Sequence, residues 1–101
     1  MPYQKTLKLE LSTLAKDDLR DIAQYTFTNY GERQVDIYLQ ALYDGMELLA
    51  GNPEIGHRRD DVPSGYKSLL IEKHVIIFTV QGESLIIARI LHQSRDMQRH
   101  L

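Results

Sequence analysis

The sequence contains no cysteine, and this absence excludes several kinds of structure and chemistry. The chain therefore cannot form a disulfide framework, a thiolate nucleophile or a cysteine-ligated metal centre. A chain without disulfides suits a reducing compartment, so we expect a cytoplasmic location.

Long apolar runs are also missing from the sequence. No uninterrupted apolar stretch approaches the roughly 20 residues that a membrane-spanning helix needs. The first five residues, MPYQK, lack the apolar core of a signal peptide. We therefore expect a soluble protein with no membrane partner.

The common sequence motifs of enzymes are absent as well. The chain has no glycine loop that could cradle phosphate after a strand, no His-Glu-x-x-His helix and no Gly-x-Ser-x-Gly elbow. The four histidines stand at positions 57, 74, 92 and 100, which is too scattered for a ligand cluster by spacing alone. The spacing therefore argues against a metal site.

The size of the chain and its charge distribution limit the number of domains and the kinds of partner. A chain of 101 residues forms one domain, residues 1–101, that buries about two thirds of its unfolded surface. The net charge of −2 argues against a general nucleic-acid binder, but residues 66–101 carry five basic and three acidic side chains. This last third is best able to meet an anionic surface, although ordinary solvated charge explains the asymmetry equally well.

The N-terminal half predicts a strand followed by two helices. Leucines at 7, 9 and 11 alternate with charged residues, which is typical of a half-buried strand. Ser12 or Thr13 can cap a first helix, and Gly31 can end it. The residues that recur at helical spacing in that helix are Ala15, Leu19, Ile22, Ala23, Thr26 and Tyr30.

A second helix begins at Glu32 and should pair with the first as an antiparallel hairpin. Its apolar stripe consists of Val35, Leu39, Leu42, Met46 and Leu49. Gly45 within this helix indicates either close packing or a mildly weakened helix.

The second half predicts a loop and then three strands. Residues 51–65 are rich in turn formers, and within them Arg58 and Arg59 precede Asp60 and Asp61, which favours a self-neutralised surface loop. Strand patterns cover residues 66–71, 74–80 and 85–91, with a glycine-containing hairpin turn at 81–84. The order strand, helix, helix, strand, strand, strand predicts an α+β fold, with the helices on one face of an antiparallel sheet.

A ribonuclease site is the one catalytic arrangement that the residues leave open. RNA cleavage needs a base, an acid and cations for the phosphate, and His74, His92, Arg58 and Arg89 could in principle supply them. On an alternating strand Arg89 and His92 point to opposite faces unless a bulge intervenes, which weakens this interpretation. The alternative for His92 is a strand-end residue hydrogen-bonded to neighbouring backbone.

Ordered segments along nearly the whole chain carry a resemblance to a known family. They are residues 15–30 with DLRDIAQYT at 18–26, Gln34 with Tyr38, Leu39 and Leu42, residues 48–56 with LLAGNPEIG, Arg58, residues 65–67, residues 74–78 with HVIIF, and residues 89–96 with RILH at their start. Together they resemble the ParE-type toxins of the RelE/ParE superfamily.

The resemblance implies the toxin of a bacterial toxin–antitoxin pair, with no metal or organic cofactor. Its best-studied ParE members inhibit DNA gyrase and so block replication, which implies action by binding more than by catalysis. The implied partner is a cognate antitoxin whose disordered tail folds onto the toxin, giving a hetero-oligomer. Direct nucleic-acid binding is expected only through a gyrase–DNA complex.

The resemblance, together with the charge pattern, assigns residues to two surfaces. The expected target-binding residues are Lys67, Arg89, His92, Arg95 and Arg58. The expected antitoxin-binding residues are Tyr66, His74, Ile76, Phe78 and Leu91. No catalytic or metal-binding residue is assigned, and alanine at Arg89, His92 or Arg95 is expected to abolish toxicity while the fold is retained.

Departures from the family pattern keep two other functions open. The ribonuclease branch of the superfamily places basic residues on the sheet and a Tyr or His near the C-terminus, and this chain has no tyrosine after Tyr66. Lys67 stands where an arginine is usual, and Phe78 where tyrosine is frequent. Leu70, Ile71 and Glu72 replace the residues, often Pro then Gly, that come before the His-Val-Ile strand. The alternatives are a RelE-like mRNA ribonuclease and a detoxified relative that acts as a binding or regulatory module.

Overall fold

A computed structural model describes residues 6–95 and 97–101. Its strands are β1 (Lys8–Leu11), β2 (Lys67–Ile71), β3 (His74–Gln81) and β4 (Ser84–His92), and its helices are α1 (Thr13–Tyr30), α2 (Glu32–Gly51) and α3 (Met97–His100). A short 3-10 turn, Pro53–Ile55, follows α2. The predicted α+β order is confirmed, and α3 is an addition to it.

The four strands form one sheet in the order β1-β4-β3-β2. Strands β2, β3 and β4 make the predicted antiparallel meander, whereas β1 pairs with β4 in parallel. The two helices explain the parallel pair, because α2 returns the chain to the start of β1, where the Leu7 N–H donates to the Ala50 carbonyl at 2.8 Å. Strand β2 therefore runs in the same direction as β1. Since β3 reverses that direction and β4 restores it, β4 lies parallel to β1.

The helix boundaries follow the predicted capping residues. The Ser12 side chain accepts a hydrogen bond from the Ala15 N–H at 3.0 Å, and its hydroxyl donates to the Ala88 carbonyl at 2.7 Å. Gly31, at φ 89°, ends α1 with its N–H on the Phe27 carbonyl and is followed at once by α2. Ser12 thus fixes the start of α1 against the middle of β4.

The main core lies between the helical hairpin and one face of the sheet. Its largest fully buried side chains are Leu42, Met46, Leu49, Ile76, Phe78, Leu85, Ile87 and Ile90. Gly45 faces β2, and a Cβ at this position would overlap the Ile71 side chain. Close packing, and not a weakened helix, is therefore the reason for a glycine in α2.

A second, smaller core covers the opposite face of the sheet. It consists of Val62, Val75, Ile77, Leu91 and Met97, with Tyr66 and Ala88 packed against it. Residues 97–100, for which the sequence predicted no helix or strand, form α3 and bury Met97 to 1% exposure. Both faces of the sheet are therefore covered.

The turn between β2 and β3 holds the only non-glycine residue at positive φ among the described residues. Ile71 pairs with His74 across a two-residue turn, and Glu72 adopts φ 55°. A left-handed backbone of this kind is sterically unfavourable for any residue that has a Cβ, so the surrounding structure must offset its free-energy cost. The departure from the family pattern at residues 70–72 thus coincides with a strained turn.

No helix in the described part of the chain is long and apolar enough to cross a membrane. Residues 1–5, on which the expectation about a signal peptide rests, and Asp96, at the end of the family resemblance, lie outside the described residues.

Candidate functional site

A cavity lies where the turn of the helical hairpin overhangs the end of the sheet. Its volume is about 770 Å³, within the range typical of binding pockets. We call it the hairpin cavity, and the residues that line it are Asp18, Asp21, Ile22, Tyr25, Thr26, Tyr30, Gln34, Tyr38, Glu72, Lys73, His74, Arg89, Ile90, Leu91, His92, Ser94 and Arg95. Both helices, the β2–β3 turn and the end of β4 contribute to it.

Two histidines stand opposite each other on the inner wall of the cavity. His74 and His92 pair across β3 and β4, with ring centroids 5.3 Å apart and planes at 87°. The Gln93 N–H donates to the Lys73 carbonyl beside them, so they form a non-hydrogen-bonded pair, in which side chains come closest. They lie on the helix-facing side of the sheet, as Ile76 and Ile90 do.

Tyr38 of α2 fixes the orientation of His74. The Tyr38 hydroxyl lies 2.6 Å from His74 Nδ1 and accepts the Lys73 N–H at 3.2 Å. The phenol oxygen accepts from the backbone, and when its own proton is donated to Nδ1 the neutral His74 ring carries its proton on Nε2. Burial, then the neighbouring His92, lowers the pKa of His74 to about 4, and burial raises the pKa of Tyr38.

The backbone beyond β4 fixes the second ring. The Ser94 N–H donates to His92 Nδ1 at 3.1 Å, and the Ser94 hydroxyl lies 2.8 Å from the same nitrogen. His92 Nδ1 is therefore an acceptor, and the neutral ring carries its proton on Nε2. The alternative interpretation of His92, a strand-end residue bonded to neighbouring backbone, describes this contact correctly.

Asp18 and Arg89 form a paired group at the side of the cavity. The Arg89 guanidinium donates to both carboxylate oxygens of Asp18, at 2.8 and 2.9 Å. The side chain of Arg89 is only 17% exposed and that of Asp18 only 11%. The same carboxylate accepts the Ile90 N–H at 2.9 Å, and Arg89 also donates to the His100 carbonyl. The bond to Asp18 raises the pKa of Arg89, which keeps the guanidinium charged.

The structure brings five of the predicted site residues into one cavity, namely His74, Arg89, Leu91, His92 and Arg95. Alternation along β4 is as predicted, because Arg89 pairs with Ile77 and His92 with His74 on opposite faces. Arg89 nevertheless reaches the cavity by wrapping around the edge of β4 to Asp18. The irregularity of β4 lies before Arg89, where Ala88 is skipped in the pairing, and not between Arg89 and His92.

The other predicted site residues lie elsewhere. Arg58 and Lys67 are exposed, and Lys67 borders a separate small hollow beside Glu54 and Thr79. Tyr66 packs on the second core. Ile76 and Phe78 are 0% and 1% exposed, so they support the surface from beneath and offer no contact area themselves.

Sequence reasoning missed Tyr38, Asp18 and Ser94 as parts of the site. The hydrogen bond between Asp18 and Arg89 spans 71 residues. Tyr38 is 36 positions from His74. Neither contact has a local sequence signal, since each depends on how α1 and α2 lie on the sheet.

The arrangement presents hydrogen-bond donors to the cavity more readily than a base. His92 uses Nδ1 as an acceptor of the Ser94 N–H, so in its neutral ring the nitrogen left to a ligand carries a proton, and donation from Tyr38 to His74 Nδ1 gives the same tautomer there. A general base for a 2′-hydroxyl needs a free lone pair. Among the described residues, no group of three or more His, Cys, Asp or Glu side chains could hold a metal ion.

Comparison with known proteins gives consistent matches over almost the whole chain. Residues 9–97 match the sequence model of a family described as "ParE toxin of type II toxin-antitoxin system, parDE". The protein "Toxin ParE1" of Mycobacterium tuberculosis is 35% identical over 92 residues, which cover 90% of this chain and 94% of the relative. "Toxin ParE1" of Caulobacter vibrioides is 34% identical over 91 residues, with the same coverage of 90% and 94%.

Solved structures share the fold at lower identity. A chain of the chromosomal ParDE TA system from P. aeruginosa has a TM-score of 0.76 at 21% identity, covering 86% of this chain and 96% of that one. A conserved hypothetical protein from Helicobacter pylori has a TM-score of 0.59 at 16% identity, covering 88% and 97%. At these identities the likeness shows the fold alone.

Proposed function

Because this chain belongs to the family of ParE toxins of type II toxin–antitoxin systems, we propose that it arrests growth by binding DNA gyrase and that a cognate antitoxin neutralises it. The observation that carries the proposal is the family match, which spans residues 9–97. The site chemistry supports binding over catalysis, since the two imidazole rings offer donors and no base. The expected location is the bacterial cytoplasm.

The proposed target-binding residues are arginine, lysine and histidine side chains, four of them in the last third of the chain and Arg58 in the loop before it. Lys67, Arg58 and Arg95 are exposed, and His92 lines the hairpin cavity beside Arg95. Arg89 belongs to the same proposal, but most of its side chain is covered and paired with Asp18. Its contribution to toxicity therefore includes holding β4 and α3 in place.

Induced expression and purified gyrase test the target directly. We expect induced cells to filament and to switch on DNA-damage signalling, and the purified protein to inhibit supercoiling or to stabilise cleaved DNA. Gyrase whose supercoiling and cleavage stay unchanged in the presence of the folded protein contradicts the target. Lys67→Glu and Arg95→Glu should reduce inhibition, whereas Arg33→Glu, an exposed change on α2, is the matched control and should not.

The antitoxin is expected to cover apolar surface that the folded toxin leaves exposed. Tyr25, Phe27, Tyr30 and Ile37 are between 52% and 66% exposed on the helical hairpin. A disordered amphipathic tail that folds on binding can bury such residues in a groove. Co-expression with the small protein of the neighbouring reading frame should restore growth, and mixing the purified pair should increase helical circular dichroism. Growth arrest that persists with a soluble candidate antitoxin argues against that partner.

An mRNA ribonuclease is the second candidate, and one observation favours it. His74, His92 and Arg89 do converge on one cavity, although alternation places Arg89 and His92 on opposite faces of β4. Primer extension on cellular mRNA after induction separates the two functions, since codon-linked cleavage would reverse the ranking. Unimpaired growth with folded protein confirmed would instead support a detoxified relative that acts as a binding module.

A further inference from the structure

The hairpin cavity is lined by two adjacent imidazole rings, with centroids 5.3 Å apart, whose Nε2 atoms have no hydrogen-bond partner among the described residues. His74 Nδ1 is engaged by Tyr38 and His92 Nδ1 by Ser94, and neither Nε2 has a hydrogen-bond partner among the described residues. No buried side-chain polar atom lacks a partner there, so both Nε2 atoms are open to solvent. A bound group that accepts two hydrogen bonds would satisfy both donors.

The charges around the cavity distinguish between possible acceptors. Asp18 and Arg89 neutralise each other, and the remaining charged side chains of the lining are Asp21, Glu72, Lys73 and Arg95, all of them exposed. Two acids and two bases leave the mouth of the cavity with no net charge. Nucleic acid requires a clear excess of cations, because phosphate neutralisation supplies most of its affinity.

The apolar part of the lining suits a peptide. Tyr25 and Tyr30 are 63% and 66% exposed at the rim, and Tyr38 stands against His74 with ring centroids 5.4 Å apart. Tyrosine is enriched at the centres of protein interfaces, where its ring packs on apolar groups and its hydroxyl stays polar. A single carboxylate flanked by apolar side chains therefore matches both the donors and the aromatic rim.

We propose that the hairpin cavity binds a carboxylate of a polypeptide partner, whose oxygens accept the Nε2–H groups of His74 and His92 while neighbouring apolar residues of the partner pack on Tyr25 and Tyr30. Tyr38 and Ser94 are positioning residues, since they hold the two rings in the donor tautomer. The inference rests on the geometry of the cavity and does not depend on gyrase being the target.

Two capped peptides and two phosphate probes test the proposal on the full chain at pH 7. The peptides are acetyl-Leu-Glu-Leu-amide and its Gln counterpart, and the phosphate probes are inorganic phosphate and pentathymidylate. Binding is followed by NMR, through the imidazole nitrogens of His74 and His92 and the backbone amides of the lining residues. We expect the Glu peptide to give saturable shifts with a dissociation constant on the order of 1 mM and the Gln peptide to bind at least about tenfold more weakly.

Histidine variants separate loss of the donor from loss of the fold. Asparagine at position 74 or 92 retains an acceptor near Nδ1 but lacks the Nε2–H donor, whereas glutamine can place an amide N–H near Nε2. We expect His92→Asn and His74→Asn to weaken the Glu peptide about tenfold, and His92→Gln to retain most of the affinity. His57→Asn, an exposed histidine outside the cavity, should leave binding unchanged.

Three results overturn the proposal. Tighter binding of pentathymidylate or phosphate than of the Glu peptide assigns the cavity to phosphate. Equal binding of the Glu and Gln peptides shows that no carboxylate is recognised. The absence of saturable shifts with every probe, in protein whose amide spectrum shows it to be folded, removes the site itself.

Discussion

At the scale of single residues, Asp18 joins three parts of the molecule. Its carboxylate holds Arg89 of β4 and accepts the Ile90 N–H, just past the point where β1 ends and leaves the outer edge of β4 without a strand. Arg89 in turn donates to the His100 carbonyl of α3. One side chain of α1 therefore caps a free sheet edge and anchors the cation that retains α3.

Replacing Asp18 should destabilise the fold far more than replacing its neighbour Asp17. Asp18→Asn leaves a largely covered guanidinium without its counter-charge, and breaking such a pair costs about 3 kcal/mol. Asp17 pairs with Arg20 in the open, at 50% and 77% exposure, so Asp17→Asn should cost less than about 1 kcal/mol. Urea unfolding of the two variants measures the difference, and equal losses contradict the structural role given to Asp18.

The same contact alters what an alanine at position 89 can show. The sequence led to the expectation that Arg89→Ala abolishes toxicity with the fold retained. The structure adds that this change removes the guanidinium from Asp18 and from the His100 carbonyl, so the free energy of unfolding should fall as well. Toxicity of the variant must therefore be compared at equal amounts of folded protein.

The neutral state of His74 should make the stability of the protein depend on pH. Burial first, and His92 second, lowers its folded pKa to about 4, against about 6.5 for a histidine in an unfolded chain. Because the folded pKa is depressed, the stabilising contribution is complete above about pH 6.5 and is lost as the pH falls from there towards 4.

His74→Asn isolates this contribution from that of the carboxylates that titrate in the same range. The asparagine gains no proton and can still accept from the Tyr38 hydroxyl, so its stability should fall less steeply than that of the unchanged protein between pH 6.5 and 4. Urea midpoints at a series of pH values measure the two slopes. Parallel curves would show that His74 is equally easy to protonate in the folded and unfolded states.

At the scale of secondary-structure elements, α2 carries two glycines with opposite roles. Gly45 lies against β2, where a Cβ would overlap Ile71, whereas a Cβ on Gly51 meets nothing within 4 Å. The first glycine sets the distance between α2 and the sheet. Gly51 makes no such contact, and its only effect is to give the unfolded chain more backbone freedom at this position.

Alanine at these two positions should therefore change stability in opposite directions. We expect Gly51→Ala to stabilise the protein by up to about 1 kcal/mol through helix propensity, and Gly45→Ala to destabilise it by about 1–2 kcal/mol through overpacking. In an Ile71→Ala background the same Gly45→Ala change should become neutral or stabilising. Thermal or urea unfolding of the double-mutant cycle tests this, and a loss that persists without Ile71 would place the clash elsewhere.

At the scale of the whole molecule, one sheet serves two cores. Neighbouring residues of β3 point to opposite faces, so Ile76 and Phe78 belong to the main core and Val75 and Ile77 to the second. Neither core can open without disturbing the strands that the other depends on. We therefore expect the described part of the chain to unfold as one cooperative unit.

Met97→Ala tests that cooperativity from the edge of the second core. Met97 is 1% exposed, so its truncation should lower the free energy of unfolding by about 2–4 kcal/mol, whereas Leu101→Ala, at 42% exposure, should have little effect. Circular dichroism and tyrosine fluorescence should report one shared transition in both variants. A separate early transition in Met97→Ala would show that the second core and α3 unfold independently.

Sequence patterns predicted the elements of the fold because local chemistry decides them. Ser12 and Gly31 bound α1, as expected from capping, and the alternation in β3 and β4 places the strands to within one residue. The sequence could not show that β1 joins the sheet in parallel, because that depends on the directions of α1 and α2. It also could not show α3, which forms where Met97 finds the uncovered face of the sheet.

The features of the candidate site also divide into those that the sequence shows and those that depend on the tertiary structure. By itself the sequence determined the family, the α+β order and the concentration of cationic and histidine residues near the end of β4, since these follow from residue types and their spacing. Only the tertiary structure decided that Asp18 neutralises Arg89 and that Tyr38 holds His74. The physical reason is distance along the chain: contacts between residues tens of positions apart exist only after the hairpin has packed on the sheet.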